Sequence, residues 1–478
     1  MVKKSLKKTI DAFLINIFFV KGPCENLERS LIPVFLSLLL LSVFWAYIPG
    51  VKLFFRNDDW ELIGLLEPLV SSSSNNLRHL LQFLQGKQTE VIKHLHPVSL
   101  AISTLKYSVF GNNFTFHFIL SLSFHLLNTI LIYVLGLQLS TRKNAALLGA
   151  VLFGSSAFIS DTLLWTGQFA FIFITTLTLV SICLHPALLR SRFTLLGNIG
   201  FYTVTAIAPL VFELGLITVL LALGLLLVKR PLKVFPLFLL TLFLIFPIIT
   251  RVMLIGSVVT GVYFVGIPQL FYNIFISATK LLLGLFGTSY ETKVTDTLYI
   301  LNPDPYSGLT YVSFLLMVMS ILCVWDFMKS GNSSRQLKAN CLLFLFMSSL
   351  PFIMTSFSCD PSNPNPDLSH QMPRYFYLPA ALVAIVLAQA LGLKFQHLVL
   401  WLSMSVFLGL AGLFSIPRYV SILRPYTDDL KQSIVTFADT GRLTRRRYLG
   451  VRADAHRLDW SFNEKNIKAY LKMNYSKE

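Results

Sequence analysis

The chain has 478 residues, of which 54% are hydrophobic and only 13% charged, with a formal net charge of +17. Soluble domains carry roughly a quarter charged residues, so this composition excludes a water-soluble globule. The scattered basic residues suit short loops against anionic headgroups and give no nucleic-acid footprint.

Read in chain order, Lys3-Lys4 and Lys7-Lys8 precede an apolar stretch ending at Val20. Lys21, Pro23 and Glu25 follow in place of a small-residue cleavage site, so residues 9–20 read as an interfacial amphipathic helix. Residues 1–30 form a basic cytoplasmic N-terminus. Eleven apolar runs then predict an all-α polytopic membrane domain over 31–416, with spans near 31–49, 114–138, 144–159, 162–184, 194–210, 212–228, 233–250, 308–328, 340–357, 375–391 and 397–415. Segment 268–287 is apolar but contains Asn273 and Lys280, and reads as a re-entrant or interfacial helix.

With the N-terminus inside, every short inner loop is basic: Arg142-Lys143, Arg190 with Arg192, Lys229-Arg230 with Lys233, Lys329 with Arg335 and Lys338, and Lys394. The outer turns near Ser160-Asp161 and Pro209–Glu213 hold no Lys or Arg. Three longer outer loops are expected, 50–113, 251–307 and 358–374. Residues 417–478 form an outer basic tail containing Arg445-Arg446-Arg447. The five cysteines make no CxxC and read as small apolar residues.

The polar residues concentrate on the outer side. Asn57-Asp58-Asp59-Trp60 places two adjacent carboxylates just past the first span. Such a pair either caps a juxtamembrane helix starting at Trp60 or serves a proton, a metal or a substrate. Asp161, Glu213 and Arg374 lie in other outer turns, and acids at span ends are costly unless used. Arg374, in Arg374-Tyr375-Phe376-Tyr377-Leu378-Pro379, has paired N–H donors that suit a headgroup phosphate, or it snorkels in an aromatic belt. His94 and His96 read as surface groups or metal ligands. His117, His125 and Asn128 fall on one face of span two, which reads as packing inward.

The order of these runs resembles the GT-C glycosyltransferases, and among them the protein O-mannosyltransferase-like branch without its tetratricopeptide repeats. It rests on Asp58-Asp59, then His96-Pro97-Val98, Phe110-Gly111-Asn112, Phe116-His117 with His125, Asp161 with Trp165 and Gly167-Gln168, Phe212-Glu213, and Arg374–Pro379. Together they cover most of residues 45–415. Three basic residues of the family pattern are replaced by His96, Gln168 and Phe212.

The resemblance implies transfer of a sugar, with inversion, from a polyprenyl-phosphate or -diphosphate carrier to an extracytoplasmic acceptor. Asp58 or Asp59 would be the base. His94, His96, Asp161, Gln168, Glu213, Arg374, Tyr375 and Tyr377 would bind substrate or carrier. A divalent cation, if one is used, would sit on Asp59 and Asp161. The lack of a disulfide pattern and the compact tail point to a bacterial inner membrane over the endoplasmic reticulum. The rival readings are a lipid-linked sugar flippase and an inactive scaffold. A flippase would carry midplane charges and internal repeats, and neither is evident.

Overall fold

The computed structural model describes residues 25–55, 59–71, 97–140, 143–185, 194–228, 234–255, 266–286, 290–294, 299–303, 308–330, 334–356, 373–394, 398–443 and 463–475. The expected interfacial helix at 9–20 lies outside these residues. In chain order the helices are α1 (Glu25–Tyr47), α2 (Asp59–Ser71), α3 (Pro97–Phe110), α4 (Phe114–Ser140), α5 (Lys143–Gly154), α6 (Ser160–Leu164), α7 (Phe169–Leu184) and α8 (Thr194–Val211). They continue as α9 (Leu216–Val228), α10 (Val234–Ile255), α11 (Ile267–Leu285), α12 (Gly308–Lys329), α13 (Arg335–Ser356), α14 (Tyr377–Lys394), α15 (Leu398–Thr440) and α16 (Glu464–Tyr475). Short 3-10 turns join several of them.

Helices stand at every place where the apolar runs put a span. Among the described residues, five are long and apolar enough to cross a bilayer, and the bent pair Lys143–Gly154 with Ala157–Leu164 makes a sixth if it is one span. Leu196–Val211, Glu213–Val228, Val234–Ile249 and Tyr377–Gly392 are apolar but shorter. Large apolar side chains face outward, including Trp45 (75% exposed), Phe235 (70%) and Phe414 (76%). Water would penalise such a surface and hydrocarbon would not, so this is an integral membrane protein.

The bundle's centre is α14. Ala380, Ala381, Ala384, Ala388 and Ala390 are buried along it, and it packs on α5, α7, α12 and α13. Small side chains let these backbones approach, as helix association in lipid requires. Gly149 of α5 lies against Ala388, and Gly392 of α14 lies against Ala145.

Three local features differ from the expectation, and a fourth bears on segment 268–287. The run 144–159 breaks after Gly154, where Ser155 Oγ donates back to the Val151 carbonyl at 2.7 Å and the chain bends by 42°. The second outer segment contains a hairpin of β1 (Tyr290–Val294) and β2 (Tyr299–Pro303), so the chain is not wholly helical. Pro417 does not end the last span, because α15 runs on to Thr440 with Pro417 and Pro425 inside it. The boundary set at 416/417 therefore falls within one helix. Finally, α11 is amphipathic in the reverse sense to a soluble helix: Asn273, Ser277 and Lys280 are buried, while Phe271 and Phe275 are exposed. It packs on α12, α13 and α14, as a helix held at a lipid boundary against protein would.

Candidate active site

Asp59 opens α2 and is fully buried. Its Oδ1 accepts a hydrogen bond from Thr166 Oγ1 at 2.8 Å. Thr166 begins the 3-10 turn Thr166–Gln168, between α6 and α7. A Cβ on Gly167 would stand 2.8 Å from Asp59 Oδ1, so the turn comes this close only because residue 167 lacks a side chain.

The second charge here is one that the motif reading passed over. Lys106, on α3, is 5% exposed, donates from Nζ to the Thr166 carbonyl at 3.2 Å, and lies 4.6 Å from the centre of the Phe169 ring. Burial pushes its ammonium down to about 8, while the Asp59 carboxylate pulls the other way. Beside it, burial and the same carboxylate push the Tyr107 phenol well above its ordinary value. A single lysine in the apolar sequence PVSLAISTLKYSVF was the signal available.

Asp161 lies in α6, five positions before Thr166, and is buried. Tyr419 of α15 donates to its Oδ1 at 2.5 Å. Tyr419 was missed because residues after 416 were assigned to a separate tail. Gln168 ends the same 3-10 turn, buried, with its backbone N–H on the Trp165 carbonyl at 3.0 Å.

Aromatic contacts tie the other two outer turns to this one. The Phe171 ring, in the first turn of α7, lies 5.0 Å from Phe212 and 5.4 Å from Tyr375. Phe212 precedes half-buried Glu213, which opens the 3-10 turn Glu213–Gly215. Tyr375 belongs to the 3-10 turn Pro373–Phe376, and Phe376 packs 4.7 Å from Phe158. Asp59, Asp161, Glu213 and the turn that contains Arg374 are thus collected at one end of the bundle. The Arg374 side chain lies outside what the structure describes, as do Asp58, His94 and His96.

Tyr377 departs from its expected substrate contact. Its hydroxyl turns into the bundle and meets His125 Nδ1 at 2.7 Å. His125 Nε2 meets the Gly154 carbonyl at 3.1 Å. A carbonyl only accepts, so Nε2 carries the proton and Nδ1 accepts from Tyr377. His117 Nε2 faces the Gly111 carbonyl at 2.9 Å, and the ring lies tilted against Tyr107 with 4.5 Å between centres. Both histidines pack the interior.

Among the described residues, no three His, Cys, Asp or Glu side chains gather as a metal-binding group. Asp59 Oδ1 and Asp161 Oδ1 each accept a hydrogen bond from a hydroxyl, that of Thr166 and that of Tyr419.

No protein-family model matches this chain, and no curated protein matches it. Solved structures resemble it in overall arrangement. The Archaeoglobus fulgidus oligosaccharyltransferase, tethered with an acceptor peptide containing the NVT sequon, is 13% identical with a TM-score of 0.46, over 91% of this chain and 63% of that one. ArnT from Cupriavidus metallidurans, bound to undecaprenyl phosphate, is 11% identical with a TM-score of 0.44, over 94% of this chain and 87% of that one. This chain spans less than two thirds of the oligosaccharyltransferase. At these scores the likeness transfers no residue role.

Proposed function

We propose that this protein is a membrane glycosyltransferase of GT-C type. It moves one sugar from a polyprenyl-phosphate or -diphosphate carrier to an acceptor outside the cytoplasm. The observation that supports this is the gathering of the acid-bearing turns at one bundle end, with Asp59 buried against the turn that follows Asp161.

In the proposed reaction the acceptor oxygen or nitrogen attacks the anomeric carbon, and the bond to the carrier phosphate breaks on the opposite face, inverting that centre. A base takes the acceptor proton as the new bond forms. Asp59 is engaged by Thr166 and Lys106, so this role passes to Asp58, its neighbour in sequence. Arg374, with His94 and His96, neutralises the departing phosphate. Asp161, Gln168 and Glu213 hold sugar hydroxyls, with Tyr375 against the sugar's apolar face. The carrier's tail lies among the lipid-facing helices. No step is routed through a metal. The active site and C-terminus face outward from a bacterial inner membrane.

The test is transfer from a synthetic polyprenyl-phosphate sugar by the purified full-length protein. Transfer that falls at least roughly 10²-fold in Asp58→Asn and Arg374→Ala upholds the proposal. Donor binding without turnover by the unaltered protein points instead to an inactive scaffold, in keeping with the replacements at His96, Gln168 and Phe212.

A further inference from the structure

Lys106 belongs to no motif and to no chemical step above, yet it is the one charged residue of α3 and it is buried. An ammonium withdrawn from water costs several kcal/mol unless it is paired and hydrogen-bonded. Here it is both. Thr166 is gripped from two sides: its hydroxyl donates to Asp59 Oδ1, and its carbonyl receives the Lys106 ammonium. The Phe169 ring faces the same ammonium. Among the described residues, the charged and titratable groups around it are Asp59 on α2, Tyr107 on its own helix and His117 on α4, with Tyr470 of α16 beyond Tyr107. Of these, only Asp59 is an acid.

The three anchors come from segments far apart in sequence, namely the start of α2, the middle of α3 and the turn between α6 and α7. Fixing them together sets where the Asp161 turn stands relative to the acidic pair. Gly167 removes the one Cβ that would keep the turn from the carboxylate.

We infer that Lys106 is a positioning residue of this site, an internal cation that holds Asp59 and, through Thr166, the turn that follows Asp161. It acts on the reaction through those two residues and does not touch the sugar. The kinetic part of this inference rests on the proposed glycosyl transfer. The pairing itself does not.

Two measurements on the full-length protein in detergent or nanodiscs decide it. In the first, Lys106→Met is expected to lower kcat roughly 10²-fold with KM within a few-fold, because misplacing the acidic pair damages the transition state more than donor binding. Lys106→Arg is expected to recover kcat to within about tenfold, because it restores the cation. In the second, thermal unfolding is followed for Lys106→Met, Asp59→Asn and the double variant. The double variant is expected to melt above Lys106→Met, since removing the cation alone takes its favourable charge from a buried carboxylate. A wild-type kcat in Lys106→Met, or Tm decrements of the two single variants that simply add, overturns the inference. If the unaltered protein transfers no sugar from any carrier, the functional proposal fails alone, and the unfolding cycle still upholds or overturns the pairing.

Discussion

The Thr166 hydroxyl donates a hydrogen bond to the buried Asp59 carboxylate. Thr166→Val keeps the shape and deletes the donor. It is predicted to cost about 1–3 kcal/mol, read as a lowered Tm, because one lone pair of a buried carboxylate is left unsatisfied. A pH dependence follows from Lys106. Burial lowers its pKa to about 8 in the folded protein. Below that value the cation facing Asp59 is present, and above it the cation is lost. Transfer activity is therefore predicted to fall on the alkaline side with a midpoint near the lysine's depressed pKa. In Lys106→Arg that limb is predicted to disappear below about pH 10, because a guanidinium stays charged. At this scale the sequence displayed the acids better than their partners. Asp161 and Glu213 interrupt apolar runs and so announce themselves. Lys106 interrupts an apolar run in the same way but belongs to no motif, and Tyr419 gives no such signal, because its pairing with Asp161 is made by tertiary packing between segments 258 positions apart.

Among the elements, the C-terminal helix α16 is tied most directly to the site. It lies along α2, with the Tyr470 ring 5.5 Å from Trp60 and 5.8 Å from Phe54, and the Tyr470 carbonyl on Asn112 Nδ2. Lys472 pairs with Glu67. The approach depends on Gly64, where a Cβ would collide with Asn466 Oδ1. Gly64→Val is predicted to unseat α16 at a cost of roughly 1–3 kcal/mol and to expose residues 464–475 to limited proteolysis. Unchanged protease resistance would contradict the packing. The span positions were legible because hydrocarbon demands long apolar runs, whatever the side chains do in detail. The break at Ser155 was not, because the run GSSAFIS stays apolar enough to pass as one span. The extension of α15 was hidden by Pro417, read as a stop although a proline can sit inside a helix in lipid. The β1–β2 hairpin carries no apolar alternation that the sequence reading could use.

For the whole molecule, an odd number of crossings puts the chain's two ends on opposite sides. Eleven crossings with a cytoplasmic N-terminus are predicted to place residues 142, 229 and 394 inside and residues 304 and 420 outside. Single-cysteine labelling with a membrane-impermeant thiol reagent checks this. Labelling of residues 142 and 420 from the same side would remove the proposed topology. That the turns around Asp161, Glu213 and Pro373–Phe376 meet was foreseeable from that topology, since the sequence reading puts each in an outer segment. The detail was not, because it depends on Phe171 meeting both Phe212 and Tyr375. The measurement that tests the enzyme proposal most directly is mass spectrometry of lipid extracts from cells with and without the protein. A polyprenyl-linked sugar is predicted to accumulate in its absence and to return to the normal level with the unaltered protein but not with Asp58→Asn. A lipid-linked sugar pool identical in all three would contradict it.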